Sequence, residues 1–177
     1  MKRNIIIISL SAIISLVSCN TIPKGITAVK PFEKADYLGK WYEIARFDFR
    51  FERNLNNVTA HYSLNKDGKT IKVVNRGYDY TTNKWKEVTG KAKFVKDDTT
   101  AMLKVSFFGP FYAGYNVLAI DSKYRYALVS GSSLEYLWIF SRETSIPENI
   151  KQDYLAYAEK LGFNTANLIW VEHNNQD

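Results

Sequence analysis

Hydrophobic and polar side chains alternate in short runs between residues 37 and 141, as in β-strands with one buried face. Turn signals separate the runs, for example Asp67-Gly68, a pair that tolerates the positive φ of tight hairpins. No segment with helical spacing lies between any two runs. The pattern therefore predicts eight consecutive antiparallel strands, at Trp41–Phe51, Val58–Leu64, Ile71–Tyr78, Trp85–Val95, Met102–Phe107, Tyr115–Ile120, Arg125–Ser130 and Leu134–Ser141.

The pattern changes once, near the C-terminus. From Pro147 to Leu161 the apolar residues recur at helical spacing, and Gly162 follows as a stop signal. One more short apolar run, Leu168–Val171, comes after it. Eight strands joined by tight turns are typical of an all-β up-and-down barrel or a sandwich. The prediction is thus eight antiparallel strands, one helix at about 147–161 and a short ninth strand.

The first 19 residues have the pattern of an export signal. Lys2 and Arg3 precede an apolar stretch, Ile5–Val17. Its length lies within the range of about 7–15 residues for a signal peptide and below the roughly 20 of a membrane span. Leu16-Val17-Ser18-Cys19 resembles a bacterial lipobox, in which the cysteine is acylated and becomes the first mature residue. An ordinary signal peptide with an incidental cysteine is the alternative, but the three coinciding features favour a lipoprotein signal.

These features divide the chain into three parts. We expect a lipoprotein signal peptide at 1–18, a lipidated Cys19 with a tether at 19–36, and one barrel domain at 37–173. Cys19 is the single cysteine of the chain, so the barrel has no disulfide, thiol nucleophile or thiolate metal ligand.

Charge and histidine content narrow the function. The net charge is +6, and removal of residues 1–18, with Lys2 and Arg3, leaves +4. This mild excess suits an anionic membrane surface or ligand, and the export signal argues against nucleic acid. His61 and His173 are the two histidines; they lack metal-binding spacing, and no serine has nucleophile-elbow context. The sequence predicts no enzyme, no metal and no cofactor.

Three short motifs, in order along the chain, resemble the signatures of the lipocalin family. They are Gly39-Lys40-Trp41, the turn Asp121-Ser122-Lys123-Tyr124 and Arg142; Ile120 stands where a threonine is common in the second. Longer blocks around Lys104–Tyr112 and Tyr136–Ile139 resemble the bacterial outer-membrane lipocalins, which are lipid-binding lipoproteins. The resemblance covers roughly residues 25–173 and implies a closed eight-stranded barrel.

The resemblance also implies a role for the signature residues. Trp41 would face inward at the closed base of the barrel, with Arg142 across its indole as a cation–π partner. Gly39 would leave space for the chain that crosses beneath. We therefore expect structural roles for Gly39, Trp41, Asp121, Tyr124 and Arg142.

Side-chain parity along the strands then gives a candidate ligand lumen. A solid core is the alternative, but the small residues Ala45, Gly90 and Ala119 favour open space. An apolar lumen suits an acyl chain, since each buried methylene contributes about 0.8 kcal/mol. The expected lumen residues are Ala45, Phe47, Ile71, Val73, Phe94, Leu103, Val105, Phe107, Tyr115, Val117, Val129, Tyr136 and Trp138.

Loops at the open end would form the rim. Arg46, Arg50 and Arg53 are candidates to bind a carboxylate or phosphate head group, the alternative being an ordinary solvated loop. The aromatic run Phe107–Tyr112 is a candidate for lumen wall, membrane contact or homodimer contact, because exposed apolar patches mark such surfaces. The sequence does not choose between these three.

The expected function is a membrane-anchored lipocalin that stores or transports a single-chain lipid, a fatty acid or lysophospholipid. Acylated Cys19 followed by Asn20 resembles an outer-membrane address, and we expect the barrel to face the periplasm. The resemblance adds a role in envelope maintenance or stress. The alternatives are a structural envelope lipoprotein whose filled barrel acts on a protein partner, and a carrier of haem or another hydrophobic small molecule.

Overall fold

A computed structural model describes residues 21–174 of the chain and arranges them around one antiparallel sheet. The signal peptide expected at 1–18 and the lipidation site Cys19 lie outside these residues. The strands are β1 Gly39–Arg46, β2 Leu55–Leu64, β3 Ile71–Asp79, β4 Lys84–Phe94, β5 Met102–Ser106, β6 Ala113–Ile120, β7 Tyr126–Ser130, β8 Leu137–Ser141 and β9 Ile169–Trp170. The helices are α1 Lys34–Tyr37, α2 Glu148–Lys160 and a short 3₁₀ turn, Thr165–Asn167.

Each strand from β2 to β8 pairs with the next, and β1 pairs with both β8 and β2, so the sheet closes on itself. This confirms the predicted eight-stranded up-and-down barrel with one C-terminal helix and a short ninth strand. The end that carries the β1–β2, β3–β4, β5–β6 and β7–β8 loops is called the mouth below. The opposite end, which α1 crosses, is called the base.

The two ends of the described chain complete the barrel wall. β1 and β2 pair only in their base halves, from Gly39↔Tyr62 to Tyr42↔Thr59. Nearer the mouth, β9 pairs with β1, and the amide of Asn57 in β2 donates to the carbonyl of Glu172 at 2.8 Å. At the base, Val29 lies between β5 and β6, donating to Val117 and accepting from Ala101. The segment expected as a tether is thus partly built into the barrel.

One predicted boundary is wrong. The first strand was expected to run to Phe51, but β1 ends at Arg46, and residues 47–54 form a loop at the mouth. In this loop the amide of Glu52 donates to the carbonyl of Phe49, and Asn54 adopts a positive φ of 65°. Alternation of side chains continues through such a turn by chance, so the pattern alone cannot end the strand.

None of the helices within residues 21–174 combines the length and the apolar composition needed to cross a membrane.

Candidate ligand-binding lumen

Two separate apolar clusters lie on the two faces of the sheet. The inner cluster fills the barrel around Trp41, Val73, Val117 and Val129. The outer cluster lies between the barrel wall and α2, and includes Tyr154 and Ala158 of the helix. The helix therefore covers part of the second apolar face, while the ligand candidates belong to the first.

The structure corrects two expected lumen residues. A β-bulge between Glu43 and Ala45 shifts the register of β1 against β8. An extra residue in a strand moves all later side chains to the opposite face. Ala45 and Phe47 consequently lie in the outer cluster, where the Phe47 ring is 6.4 Å from that of Phe163.

A second bulge, between Val117 and Ala119 of β6, has the same effect. It turns Ala119 toward the outer cluster and Ile120 toward the inner one. Of the three small residues expected to leave room inside, only Gly90 faces the interior. A Cβ there would lie within 2.6 Å of the Phe107 ring, so Gly90 makes space for that aromatic side chain.

The base of the barrel is closed by Trp41 and the residues around it. Trp41 is fully buried and donates from Nε1 to the carbonyl of Tyr37 at 2.8 Å. The Arg142 guanidinium carbon lies 3.9 Å from the centre of the indole. The same guanidinium donates to four backbone carbonyls, those of Asp36, Leu38, Lys40 and Tyr124, at 2.7 to 3.1 Å.

The other signature residues fix the chain at this end. Asp121 accepts hydrogen bonds from the amides of Lys123, Arg125 and Tyr126, and so holds the β6–β7 turn. Tyr124 has a positive φ of 53°, and its hydroxyl accepts from the amide of Glu33 at 2.7 Å. Gly39 has a φ of 96°, in the region that favours glycine, and a Cβ there would approach the Arg142 guanidinium.

Above this plug the inner wall is apolar but not fully buried. The deep members, Ile71, Val73, Leu103, Val117 and Val129, are at most 4% exposed. Toward the mouth, the inward-facing side chains Val105, Phe107, Tyr115 and Trp138 are half-buried and contact the inner cluster, as Phe94 does near the base. The inner wall is therefore less completely buried toward the mouth than around the plug.

Three tyrosines place hydroxyl groups inside this apolar space. Tyr115 Oη lies 2.6 Å from Tyr37 Oη and accepts from Tyr62 Oη at 2.9 Å. Burial raises the pKa of all three phenols. They are therefore neutral at physiological pH, and their hydroxyl groups form a hydrogen-bonded chain through Tyr115, which we call the tyrosine cluster.

A charged cluster lies on the inner face nearer the mouth. Arg46 donates from Nη1 to Glu43 Oε1 at 2.8 Å and from Nη2 to the carbonyls of Glu52 and Leu55. Trp138 donates from Nε1 to Glu52 Oε2 at 3.0 Å. Burial, reinforced by the neighbouring Glu52 charge, raises the pKa of Glu43, and burial raises that of Glu52. Arg46 forms an ion pair with only one of these two neighbouring carboxyl groups, so the cluster retains a proton more readily than an exposed glutamate does.

The rim arginines are not equivalent. Arg46 was expected at the exposed rim, but the bulge turns it inward, where it is 3% exposed and ion-paired. Arg53 forms a forked pair with Asp48, with both carboxylate oxygens within 3.1 Å. Arg50 lies over the Phe51 ring at 4.6 Å and, within residues 21–174, has no carboxylate partner.

Aromatic contacts connect the loops at the mouth. Phe49 lies 5.5 Å from Tyr136, and Phe51 lies 6.1 Å from Phe108. Tyr136 stacks on Trp138, with ring centres 6.3 Å apart and planes 12° from parallel. Tyr136 is therefore at the mouth, next to the lumen wall.

Sequence reasoning missed several polar members of the site. Glu43 is two residues after Trp41 in the same strand, so alternation already predicts a buried carboxyl group at this position. Glu52, Tyr37 and Tyr62 reach the interior from a loop, a short helix and a strand, and none of the three is among the residues predicted for the lumen. Within the described part of the chain, no group of three His, Cys, Asp or Glu side chains is placed to hold a metal ion.

A closed antiparallel barrel that is plugged at one end and apolar inside is the architecture of a small-ligand-binding β-barrel. A family model described as a lipocalin-like domain matches residues 32–173. The chain belongs to the lipocalin family.

Relatives and solved structures are similar over most of the chain. It is 52% identical to the outer membrane lipoprotein Blc of Citrobacter freundii, over 94% of this chain and 95% of that protein. It is 46% identical to the Vibrio cholerae protein of that name, over 87% and 90%. Insecticyanin of Manduca sexta has the same fold, with a TM-score of 0.72 at 18% identity over 88% of both chains.

Proposed function

We propose that this chain is a membrane-anchored lipocalin that holds one single-chain lipid, a fatty acid or lysophospholipid, in the barrel lumen. One observation carries the proposal: the inward-facing apolar side chains above the Trp41 plug are only half-buried. A barrel with a filled interior would bury them. The accessible apolar wall supports a ligand chain that runs from the tyrosine cluster to the mouth.

The chemistry of the wall favours an acyl chain. An eight-stranded barrel has an interior just wide enough for side chains or one small ligand, which favours one chain over two. Val105, Phe107 and Tyr115 offer apolar surface on one side of that space and Trp138 on another. Each methylene removed from water contributes about 0.8 kcal/mol, so a long chain binds without polar recognition.

The head group would lie at the mouth. Arg46 and Arg53 already have carboxylate partners, so the candidate cation for a carboxylate or phosphate is Arg50. A guanidinium fork matches both anions. The hydroxyl or amide groups of a head group would meet the polar cluster of Glu43, Arg46 and Glu52 just below.

The lipobox at Cys19 and the names of the relatives support an outer-membrane location. The relatives are named outer membrane lipoproteins. Acylation of Cys19 would hold the barrel beside the membrane that supplies its ligand, facing the periplasm. Storage or transport of lipids during envelope maintenance is the role that follows.

Native mass spectrometry of residues 20–177, after incubation with a mixed membrane-lipid extract, tests the ligand. We expect one retained single-chain lipid per barrel. The variant Val105→Trp fills the upper lumen and should lose the lipid, whereas Lys91→Trp, on the exposed outer face of β4, should retain it. Both variants carry one additional tryptophan, so they are matched in composition.

Other results would contradict the proposal. No retained lipid, together with tryptophan fluorescence that does not respond to fatty acid, would favour a filled barrel that acts on a protein partner. A coloured preparation would favour haem or another chromophore. Equal retention by both variants would place the lipid outside the lumen.

A further inference from the structure

The exposed apolar surface of the barrel is concentrated at the mouth. Phe111, Phe108 and Phe51 are 80%, 65% and 57% exposed. Among the large hydrophobic side chains exposed within residues 21–174, only Leu64 lies at the base. The others, all on the mouth half, are Phe51, Tyr80, Trp85, Phe108, Phe111, Tyr112, Leu134, Ile169 and Trp170. The barrel itself buries none of these side chains. Exposed apolar surface of this kind marks a contact with a membrane or with another protein.

Four of these side chains form one surface, which we call the rim patch: Phe51, Phe108, Phe111 and Tyr112. The contact between Phe51 and Phe108 joins the β1–β2 loop to the β5–β6 loop. The amide of Phe111 donates to the carbonyl of Phe108, which folds the latter loop into a turn. Tyr112 combines an apolar ring with a polar hydroxyl, which suits the boundary between water and lipid, and the three phenylalanines add purely apolar surface.

The described part of the chain begins at Thr21, which packs against β6 close to where that strand leaves the β5–β6 loop. The carbonyl of Thr21 accepts from Asn116 Nδ2 at 2.7 Å, and a Cβ at Gly114 would overlap it. Gly114 is the second residue of β6, which begins directly after the β5–β6 loop. Cys19 is two residues before Thr21, within about 7 Å of extended chain. A tether this short favours an acyl anchor on the mouth side of the barrel.

Charge next to the patch is also suited to lipid head groups. Lys93 and Lys104 are directly opposite each other on the outer face of β4 and β5, an arrangement that destabilises a sheet. Their ammonium groups lie 4.7 Å and 5.6 Å from the centre of the Tyr112 ring. Within residues 21–174 neither has a carboxylate partner. Anionic head groups would relieve this repulsion, whereas a second copy of the chain would bring more lysines to the same surface.

We propose that the rim patch is the membrane-contact surface of the barrel, so that the open mouth faces the bilayer. This inference rests on the anchoring at Cys19 proposed above. The occupant is a bilayer with anionic head groups: the aromatic side chains enter the interface, and Lys93 and Lys104 bind phosphate. A lipid could then pass between bilayer and lumen without crossing water.

Site-directed labelling of the full, lipidated chain tests this orientation. Acylation consumes Cys19, so an introduced cysteine is the single free thiol. We would place a nitroxide at Phe111→Cys, in the rim patch, and at Lys66→Cys, in the exposed hairpin at the base. In vesicles of phosphatidylethanolamine and phosphatidylglycerol, the ratio of oxygen to nickel-complex accessibility should be several-fold higher at position 111. Mass spectrometry of each preparation first establishes that Cys19 is acylated.

A second measurement follows the loading of the lumen with a fluorescent fatty acid supplied in the same vesicles. Phe108→Ser/Phe111→Ser should load several-fold more slowly, with unchanged equilibrium occupancy. Leu64→Ser, which removes an exposed hydrophobic side chain at the base, should load like the parent chain.

Each contrary result has a distinct meaning. Equal water accessibility at both labels of an acylated, vesicle-bound chain overturns the orientation but leaves lipid binding intact. Spin–spin broadening at position 111 that grows with protein density overturns it in favour of a contact between two copies. If mass spectrometry shows that Cys19 of the full chain is not acylated, and this chain does not bind vesicles, both the proposed anchor and this inference are overturned.

Discussion

The two ends of the barrel use their aromatic residues in opposite ways. At the base, Phe32, Tyr37 and Trp41 are at most 3% exposed, and their rings lie about 5 Å apart along the series. At the mouth, Phe108 and Phe111 are more than half exposed. The base is therefore an interior that holds the fold, and the mouth is a surface with little to contribute to stability. The difference predicts that equivalent substitutions have unequal effects at the two ends.

The largest expected effect is at the base. Trp41→Ala should destabilise the chain by about 3–5 kcal/mol, because it removes the plug and the ring beneath Arg142. Trp138→Ala, on the upper wall, should cost less stability and weaken lipid binding. Urea unfolding and titration with a fluorescent fatty acid measure the two effects. Equal loss of stability with intact binding in Trp138→Ala would contradict the assignment of faces.

The charged cluster nearer the mouth is an exception to this division, since it is buried. Arg46→Met should destabilise the chain by about 3–5 kcal/mol, because the buried Glu43 carboxyl loses its ion-pair partner and the Glu52 backbone carbonyl loses a donor. The double variant Glu43→Met/Arg46→Met removes both charges of the pair and should recover much of that loss. Urea unfolding of the three chains tests this, and a neutral Arg46→Met would contradict a structural role for the pair.

Arg142→Lys tests the base by a smaller change. Lysine keeps the charge but cannot donate to four carbonyls at once while lying over the indole. We expect a loss of about 2 kcal/mol in the free energy of unfolding. Arg125→Lys, on the exposed turn nearby, is the matched control and should be close to neutral. Similar effects of the two substitutions would show that charge alone matters.

The pH dependence of stability should report on Glu43. Burial raises the pKa of this carboxyl above its usual 4.5, so the folded chain retains a proton that the unfolded chain releases. Stability should therefore fall as pH rises above about 4.5 toward the raised pKa. Glu43→Gln should flatten the stability profile between about pH 5 and pH 8, unlike Glu135→Gln at the exposed rim. A slope that survives in Glu43→Gln would assign it to another group.

The smallest effect is expected at the rim. Phe111→Ser should change stability by less than about 0.5 kcal/mol, because its ring is 80% exposed. Phe32→Ser, at the base, should be strongly destabilising, since its ring is buried among Tyr37, Phe94 and Tyr124. Thermal unfolding of both variants sharpens the contrast between the ends. A large loss in Phe111→Ser would place that loop in the core.

The fold was predictable because the strands from β2 to β8 combine clear alternation with turn residues between them. Parity failed only where the backbone departs from regular pleating. The bulges in β1 and β6 misplaced Ala45, Phe47 and Ala119, and bulges have no reliable mark in alternation alone. In β3 and β5, which have no such irregularity, Ile71, Val73 and Leu103 face inward as parity predicts.

The candidate site was less predictable than the fold. Apolar lining follows from parity, but the partners of a charged side chain depend on contacts between distant elements. Arg46 and Arg53 lie close together in sequence, yet one is buried beside Glu43 and the other is paired with Asp48 on the surface. The tyrosine cluster likewise brings together Tyr37, Tyr62 and Tyr115 from three separate elements.

The C-terminal segment between β1 and β2 has a consequence for how the chain matures. Without it, the mouth halves of these two strands would present unpaired backbone groups, the kind of edge on which chains aggregate. The segment is the last of the fold to be synthesised, so the barrel cannot be sealed before synthesis of the domain is complete. Late closure of the barrel suits a chain that must remain unfolded during translocation. Once paired, the C-terminal segment covers the strand edges through which two chains would otherwise associate.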